Sequence, residues 1–121
     1  MTAISEARNA YGISEEIYSV TKFCENVREL LQSNQRLTSA HVSGEIADLT
    51  KASSGHYYFN ITDGKSSLSC TFFKNYHNQE FELEEGLEAL VLGTISTHPN
   101  RSVYQLNVVR VFPLGEGLEA I

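Results

Sequence analysis

The sequence predicts one mainly β domain, in which five strands close into a small barrel and a single α-helix precedes them. Three observations lead to this fold class. The spacing of the apolar residues changes from about 3.6 to about 2 after the stretch SNQRLTS and stays near 2 to the end. Gly44 and Gly93 stand inside alternating segments, where a bent strand or a close backbone approach needs glycine. The 121 residues suffice for one such domain with one core.

The helix is predicted over residues 20–33, with Ser19 as its N-cap. Apolar residues recur there at the i, i+3, i+4 and i+7 spacing that places them on one face. The residues of this stripe are Val20, Phe23, Cys24, Val27, Leu30 and Leu31. We expect the stripe to pack against the barrel. Residues 1–17 have no sustained period and are expected to form an irregular lead-in, so the domain would span residues 18–121.

The five strands are predicted over residues 40–49, 56–62, 67–73, 89–97 and 103–112. The sequence DGKS at residues 63–66 is typical of a tight turn and predicts a hairpin of strands 2 and 3. A longer connection, residues 74–86, leads to strand 4, and a second hairpin joins strands 4 and 5. This order is that of the OB-fold, a five-stranded Greek-key barrel. A five-stranded SH3-like barrel is the competing topology.

The composition argues against several classes of protein. No apolar run approaches the ~20 residues of a membrane span, and the N-terminus lacks a secretory signal, so we expect a cytoplasmic protein. Cys24 and Cys70 have no further Cys or His at metal spacing and are expected to be buried packing residues. The histidines are dispersed, and SSGH at residues 53–56 lacks a third orienting group. No metal, cofactor or catalytic residue is therefore expected.

The formal net charge of −6 disfavours a nucleic-acid partner, because phosphate contacts need Lys and Arg. The charges are nevertheless segregated along the chain. Residues 51–78 contain three lysines and one aspartate, whereas residues 79–90 contain five glutamates and no Lys or Arg. The distribution is therefore compatible with a locally basic surface on strands 2 and 3.

The alternation of strands 2 and 3 predicts which aromatic rings face solvent. In strand 2 the row of Tyr57, Phe59 and Ile61 is expected to face the core, which turns Tyr58 outward. By the same alternation the outer row of strand 3 ends on Phe73, a large exposed ring. An OB-fold binds its ligand across strands 2 and 3. Tyr58 and Phe73 are therefore candidate platforms for single-stranded nucleic acid, where each stacked base contributes ~1–3 kcal/mol.

Four cations are expected to surround this face and to contact phosphates. They are Lys51, Lys65, Lys74 and Arg101. Ser54 and His56, at the loop between strands 1 and 2, are expected to add hydrogen bonds. The competing hypothesis is a protein-interaction domain, in which the same aromatic residues dock a peptide or a subunit. The four cations favour the first hypothesis, and the net charge favours the second.

Five segments resemble the N-terminal DNA-binding domain of the exodeoxyribonuclease VII large subunit. They are YSVTKFCENVRELLQ, VSGEIADLTKASSGHYYFNITDG, LSCTFFK, EEGLEALVLGTIS and VYQLNVVRVFPLGEG, in the family's order and spacing. The resemblance implies an OB-fold that holds single-stranded DNA, with RNA as an alternative ligand. Phe73-Lys74 stands where the family has Phe-Arg, and there we expect a stacked base beside a phosphate contact.

The family's large subunit also has a nuclease region and a long helical region that recruits a small subunit. Neither region has a counterpart in these 121 residues, so we expect no hydrolysis by this chain alone. The resemblance implies a separate nuclease polypeptide or a small subunit as the protein partner, and DNA repair as the process.

Overall fold

A computed structural model describes residues 2–77, 82–98 and 101–115 of the chain. In chain order its elements are α1 (Ala3–Tyr11), α2 (Val20–Ser33), α3 (Gln35–Thr38), β1 (Ala40–Lys51), β2 (Tyr57–Thr62), β3 (Ser67–Phe72), a short 3₁₀-helix (Lys74–Tyr76), β4 (Glu88–Thr97) and β5 (Tyr104–Pro113). The strands form a closed barrel in the order β1-β2-β3-β5-β4, which confirms the predicted OB-fold barrel after a helix. Residues 78–81 of the predicted connection and the predicted domain limit at residue 121 lie outside the described residues.

Antiparallel pairing joins β1 to β2, β2 to β3, β4 to β5 and β1 to β4. The barrel closes where β3 and β5 run parallel, with Cys70 opposite Leu106 and Phe72 opposite Val108. Parallel neighbours need a crossover, and here β4 with its two connections supplies it. The strands begin and end within two residues of the predicted positions.

The turn of the β2–β3 hairpin is stabilised by Asp63. Its Oδ1 accepts hydrogen bonds from the N–H groups of Ser66 at 2.8 Å and Lys65 at 2.9 Å. These two bonds hold the pKa of the Asp63 carboxyl below its usual value. Gly64 has a φ of 90°, a left-handed conformation that glycine adopts without steric cost. The hairpin predicted from this turn sequence is confirmed.

Gly44 and Gly93 lie where two strands approach too closely for a side chain. A Cβ on Gly93 would lie 2.6 Å from the carbonyl oxygen of Asn107 and 2.7 Å from Cγ of Leu106. A Cβ on Gly44 would lie 2.8 Å from the carbonyl oxygen of Thr62. The curvature of the barrel therefore requires glycine at both positions, as the sequence predicts.

Replacing Gly93 with alanine should lower the free energy of unfolding by about 1–3 kcal/mol, because the added methyl group collides with the backbone of β5. Thermal unfolding followed by circular dichroism measures the change. Gly115 is the matched control, since none of the described residues lies within 4 Å of the position that its Cβ would take. A Gly93→Ala variant as stable as the Gly115→Ala variant would contradict the close approach of β4 and β5.

The core fills the barrel and extends into the β3–β4 connection. Its largest fully buried side chains are Phe72, Ile46, Leu83, Val91 and Val108. Leu83 belongs to the acidic connection, which several hydrogen bonds tie to β1. Glu85 Oε1 accepts from the N–H of Leu49 at 2.8 Å, and the N–H of Gly86 donates to the carbonyl of Ile46 at 2.8 Å. The described part of the connection therefore lies against β1, with Leu83 in the core and its glutamates in solvent.

Residues 1–17 are expected from the sequence to be irregular. This expectation is wrong for Ala3–Tyr11, which form helix α1. The Thr2 side chain caps this helix by accepting the N–H of Ser5 at 3.1 Å, and Gly12 ends it in the left-handed conformation. None of the residues of α1 is buried. An alanine-rich segment with two local caps therefore forms a helix without the apolar stripe on which the prediction depended.

Helix α2 has the predicted bounds and the predicted cap, with the Ser19 hydroxyl accepting the N–H of Lys22 at 3.1 Å. Its apolar stripe, however, does not pack into the barrel as expected. No residue of α2 is fully buried, and the side chains of Val20, Phe23 and Leu30 are exposed. The helix meets the barrel at β4, as does the short α3. This contact half-buries one side of the stripe and leaves the other side in solvent.

The two cysteines differ in their environment. Cys70 lies in the core, and burial raises the pKa of its thiol to about 12. Cys24 lies on α2 and is only half-buried. The expectation that both are buried packing residues is therefore confirmed for Cys70 and wrong for Cys24.

Candidate nucleic-acid interface

The residues of β2 alternate between core and solvent as predicted. Phe59 and Ile61 are buried in the core, whereas the Tyr58 side chain on the opposite face is 43% exposed. Tyr57 is half-buried and packs against the core. Strand pairing places further polar side chains beside Tyr58, and we name this surface the outer wall. Its residues are Tyr58, Asn60, Ser69, Thr71, Gln105 and Asn107.

Hydrogen bonds between side chains order the part of the outer wall formed by β3 and β5. The Nε2 group of Gln105 donates to Thr71 Oγ1 at 3.2 Å and to Asn107 Oδ1 at 3.0 Å. These contacts leave Thr71 only 5% exposed. Sequence reasoning did not single out Gln105 or Asn107, although the alternation of the segment YQLN in β5 puts both on one face.

A carboxylate borders the outer wall on its β1 side. Asp48 stands where the register between β1 and β2 shifts, and it has a positive φ of 52°. Its Oδ2 accepts a hydrogen bond from the Nδ2 group of Asn60 at 2.8 Å. The Oδ1 atom of Asn60 in turn accepts a hydrogen bond from the Ser69 hydroxyl at 3.2 Å. This chain of bonds orients the Asn60 amide and places a negative charge at the β1 border.

Phe73 is less exposed than predicted, because β3 ends at Phe72 and the next residue leads into the 3₁₀-helix. The Phe73 ring is half-buried and meets the His56 ring edge-on, with ring centres 5.2 Å apart. His56 Nδ1 accepts a hydrogen bond from the N–H of Lys74 at 3.1 Å. The isolated platform expected at Phe73 is therefore a Phe73–His56 pair with a smaller exposed face.

Lys51 does not join the outer wall. Its ammonium group forms an ion pair with the carboxylate of Glu82 and lies 5.3 Å from the centre of the Tyr57 ring. The hydrogen bond to Glu82 raises the pKa of Lys51. Lys51, predicted as one of four cations around the face, is therefore held in an ion pair, because β1 extends to this residue and pairs it with Tyr57.

Lys74 is exposed, as predicted, where the chain leaves β3. Its aliphatic stem covers Gly55, since a Cβ on Gly55 would lie 3.0 Å from Cδ of Lys74. Gly55 has a φ of 96°, which side-chain-bearing residues rarely adopt. Ser54 is exposed in the same loop and His56 follows it. The β1–β2 loop thus brings three predicted site residues, Ser54, His56 and Lys74, to one end of the outer wall.

Lys65 and Arg101 lie at the other end of the barrel from Lys74. Lys65 stands in the hairpin turn, and the length of β2 separates it from the β1–β2 loop by about 17 Å. Arg101 belongs to the β4–β5 connection and lines a groove with α2. This connection lies near the β2–β3 hairpin, because Tyr104 at its end lines the same surface depression as Thr62 of the hairpin. The predicted ring of cations is therefore replaced by Lys74 at one end and two cations at the other.

Among residues 2–77, 82–98 and 101–115, no cluster of three or more His, Cys, Asp and Glu side chains could hold a metal ion. None of the helices in these ranges is both long enough and apolar enough to span a membrane.

The chain matches the model of a family described as "OB-fold nucleic acid binding domain" over residues 18–111. It is 40% identical over 102 residues to the exodeoxyribonuclease 7 large subunit of Leptospira interrogans, and 33% identical over 107 residues to that of Moorella thermoacetica. These alignments cover 82% and 88% of this chain but 24% and 27% of the relatives. The chain thus spans about a quarter of the length of these relatives, and the resemblance found in the sequence is confirmed.

Solved structures agree on the fold. A chain from a structure of a replication protein A heterotrimer bound to ssDNA superposes with a TM-score of 0.53 at 14% sequence identity. The superposition covers 69% of this chain and 62% of that chain. At this identity the likeness concerns the fold alone. The family match includes α2 and the outer wall. The chain therefore belongs to the family of OB-fold nucleic acid binding domains.

Proposed function

We propose that this domain binds single-stranded DNA across the outer wall, with a base stacked on Tyr58 and phosphates contacted at both ends. The observation that carries the proposal is Tyr58, a ring 43% exposed on a surface of hydrogen-bonded polar side chains. Such a ring offers a face on which any base can stack. Helices α2 and α3 meet the barrel at β4, and Tyr58 and Ser69 remain exposed on β2 and β3.

The cations at the two ends of the outer wall would contact the phosphates of the strand. Lys74 serves one end, where Ser54 and His56 add polar groups, and Lys65 and Arg101 serve the other. The Asp48 carboxylate at the β1 border repels phosphate. The strand should therefore cross β2, β3 and β5 rather than β1.

The choice of DNA over RNA comes from the relatives, which are large subunits of an exodeoxyribonuclease. Competition for a labelled oligo-dT strand tests this choice. We expect unlabelled oligo-dT to displace the label at a lower concentration than oligo-U of the same length. Equal displacement would mean that the domain does not distinguish the ribose 2′-hydroxyl.

Binding should weaken with salt in proportion to the number of phosphates contacted. Three cations, Lys65, Lys74 and Arg101, form no ion pair among the described residues. If each contributes about −0.7 for a single strand, the slope of log K against log salt should be about −2. Fluorescence anisotropy with labelled oligo-dT measures this slope, and Lys74→Ala should reduce it to about −1.4. Lys22→Ala, a matched loss of charge on α2, should leave the slope unchanged. No binding at low salt would reject the proposal and favour the protein-docking alternative.

We also propose that hydrolysis belongs to regions of the relatives outside the matched quarter, and that this domain presents the strand to them. The partner would be a nuclease region or a small subunit, on the same polypeptide or on another, in the cytoplasm. Incubation of the chain with end-labelled single-stranded DNA should leave the strand intact on a denaturing gel. If the purified protein shortened the labelled strand, this division of roles would be contradicted.

A further inference from the structure

Helix α2 and the β4–β5 connection enclose a groove of about 280 Å³. We name it the α2 groove, and its lining includes Phe23, Val27, Arg28, Arg101, Val103 and Tyr104. Two aromatic residues in this lining are largely in solvent, with Phe23 57% and Tyr104 61% exposed. Exposed apolar and aromatic side chains that converge on one concave surface are typical of a binding site.

The charges of the α2 groove favour an anionic occupant. Arg28 and Arg101 belong to its lining, together with one carboxylate, that of Glu25. In the described parts of the chain the only ion pair is between Lys51 and Glu82, so neither guanidinium group is neutralised by such a pair. The planar guanidinium group matches the geometry of a phosphate. These cations stand out on a chain whose net charge is −6.

The α2 groove adjoins the end of β5, where Tyr104 has the parity of buried Leu106 and lies on the face opposite to Gln105 of the outer wall. Tyr104 lines the groove, and the next residue, Gln105, donates its side-chain amide to Thr71 of the outer wall at 3.2 Å. Thr71 is the strand partner of Tyr58. Two strand spacings of about 4.8 Å and three residues of about 3.3 Å place Tyr58 and Tyr104 roughly 14 Å apart. A bound strand therefore reaches both surfaces only if it turns over the end of β5 at Tyr104.

We propose that a single strand crossing the outer wall continues into the α2 groove, where one base contacts the rings of Phe23 and Tyr104. The adjoining phosphate contacts Arg28 and Arg101. The inference rests on the proposed function and lengthens its binding path by a subsite on α2. Aromatic rings and guanidinium groups accept every base through its flat face, so this subsite takes a nucleotide without regard to sequence.

The dependence of affinity on strand length tests this subsite. Oligo-dT of about four nucleotides fits the outer wall, whereas oligo-dT of about twelve also reaches the α2 groove. We expect the double variant Phe23→Ala, Arg28→Ala to bind the longer strand about tenfold or more weakly than the unchanged protein does. Its affinity for the shorter strand should stay the same. Circular dichroism confirms that both proteins are folded, as expected for substitutions of residues that are not buried.

The double variant Tyr11→Ala, Arg36→Ala is the matched control, because it removes one exposed ring and one arginine outside the groove. It should bind both strands as the unchanged protein does. An equal loss for both strand lengths in the groove variant, or no loss for either, would overturn the inference.

The failure of this subsite can be told from the failure of the proposed function. If the unchanged protein binds neither strand, the proposed function fails and the subsite with it. If it binds both strands and the groove variant matches it, the subsite alone is rejected. A self-association that the groove variant then abolishes in analytical ultracentrifugation would assign the α2 groove to a second copy of the chain.

Discussion

Replacing Phe72 with alanine should lower the free energy of unfolding by about 3–5 kcal/mol. The side chain is fully buried, belongs to the core cluster with Ile46 and Val108, and packs against the His77 ring with ring centres 4.2 Å apart. Its loss removes a large apolar area and leaves a cavity between strands that close the barrel. Urea denaturation followed by circular dichroism measures the change.

Tyr76 provides the control for this experiment, as a nearby aromatic residue that is exposed. Tyr76→Ala should change the free energy of unfolding by about 1 kcal/mol or less. If the two variants were equally stable, Phe72 would not be the centre of the core, and the predicted inward row of β3 would be wrong.

Replacing Tyr58 with alanine should weaken the binding of oligo-dT by about 5- to 150-fold, the range expected for loss of one stacking platform. The dependence on salt should stay as it is, because the substitution removes no charge. Fluorescence anisotropy at several salt concentrations measures both quantities. Stability should change little, since the side chain lies outside the core.

Two further substitutions separate stacking from other roles of Tyr58. Tyr58→Phe keeps the ring and should bind almost as the unchanged protein does. Tyr11→Ala removes an exposed ring from α1 and should have no effect on binding. A Tyr58→Ala variant with full affinity would place the bound strand on another face of the barrel.

The sequence predicted most of the barrel because period and turn chemistry are local properties. The apolar spacing of α2, the cap at Ser19 and the alternation around Tyr58 all agree with the structure. Gly44 and Gly93 stand inside strands and proved to mark close backbone approaches. In each case the information lies within a few residues of the feature that it specifies.

The predictions that were wrong concern contacts between distant parts of the chain. Lys51 pairs with Glu82, a residue of the acidic connection, and no local pattern reveals that these segments meet. The hydrogen bond from Gln105 to Thr71 depends in the same way on the β3–β5 pairing. The exposed stripe of α2 shows the same difficulty, since an apolar period reports a face but not what covers it.

The half-burial of Phe73 lay closer to what the sequence could reveal. The hairpin register places Tyr57 opposite Phe72, so the preceding His56 comes to stand opposite Phe73. Counting back from the turn at residues 63–66 gives this pairing. The contact between the His56 and Phe73 rings does not follow from the alternation of either strand taken alone, because it depends on the register between β2 and β3.

The parallel seam between β3 and β5 has a consequence for recognition. With β1 also paired to β4, every described strand has a neighbour on both sides along part of its length, and the paired stretches present no free row of backbone amides and carbonyls. Extension of the sheet by a peptide, or contact of two molecules edge to edge, is therefore restricted to the strand ends that these pairings leave open. A ligand of the paired stretches of the barrel must therefore be bound by side chains and loops.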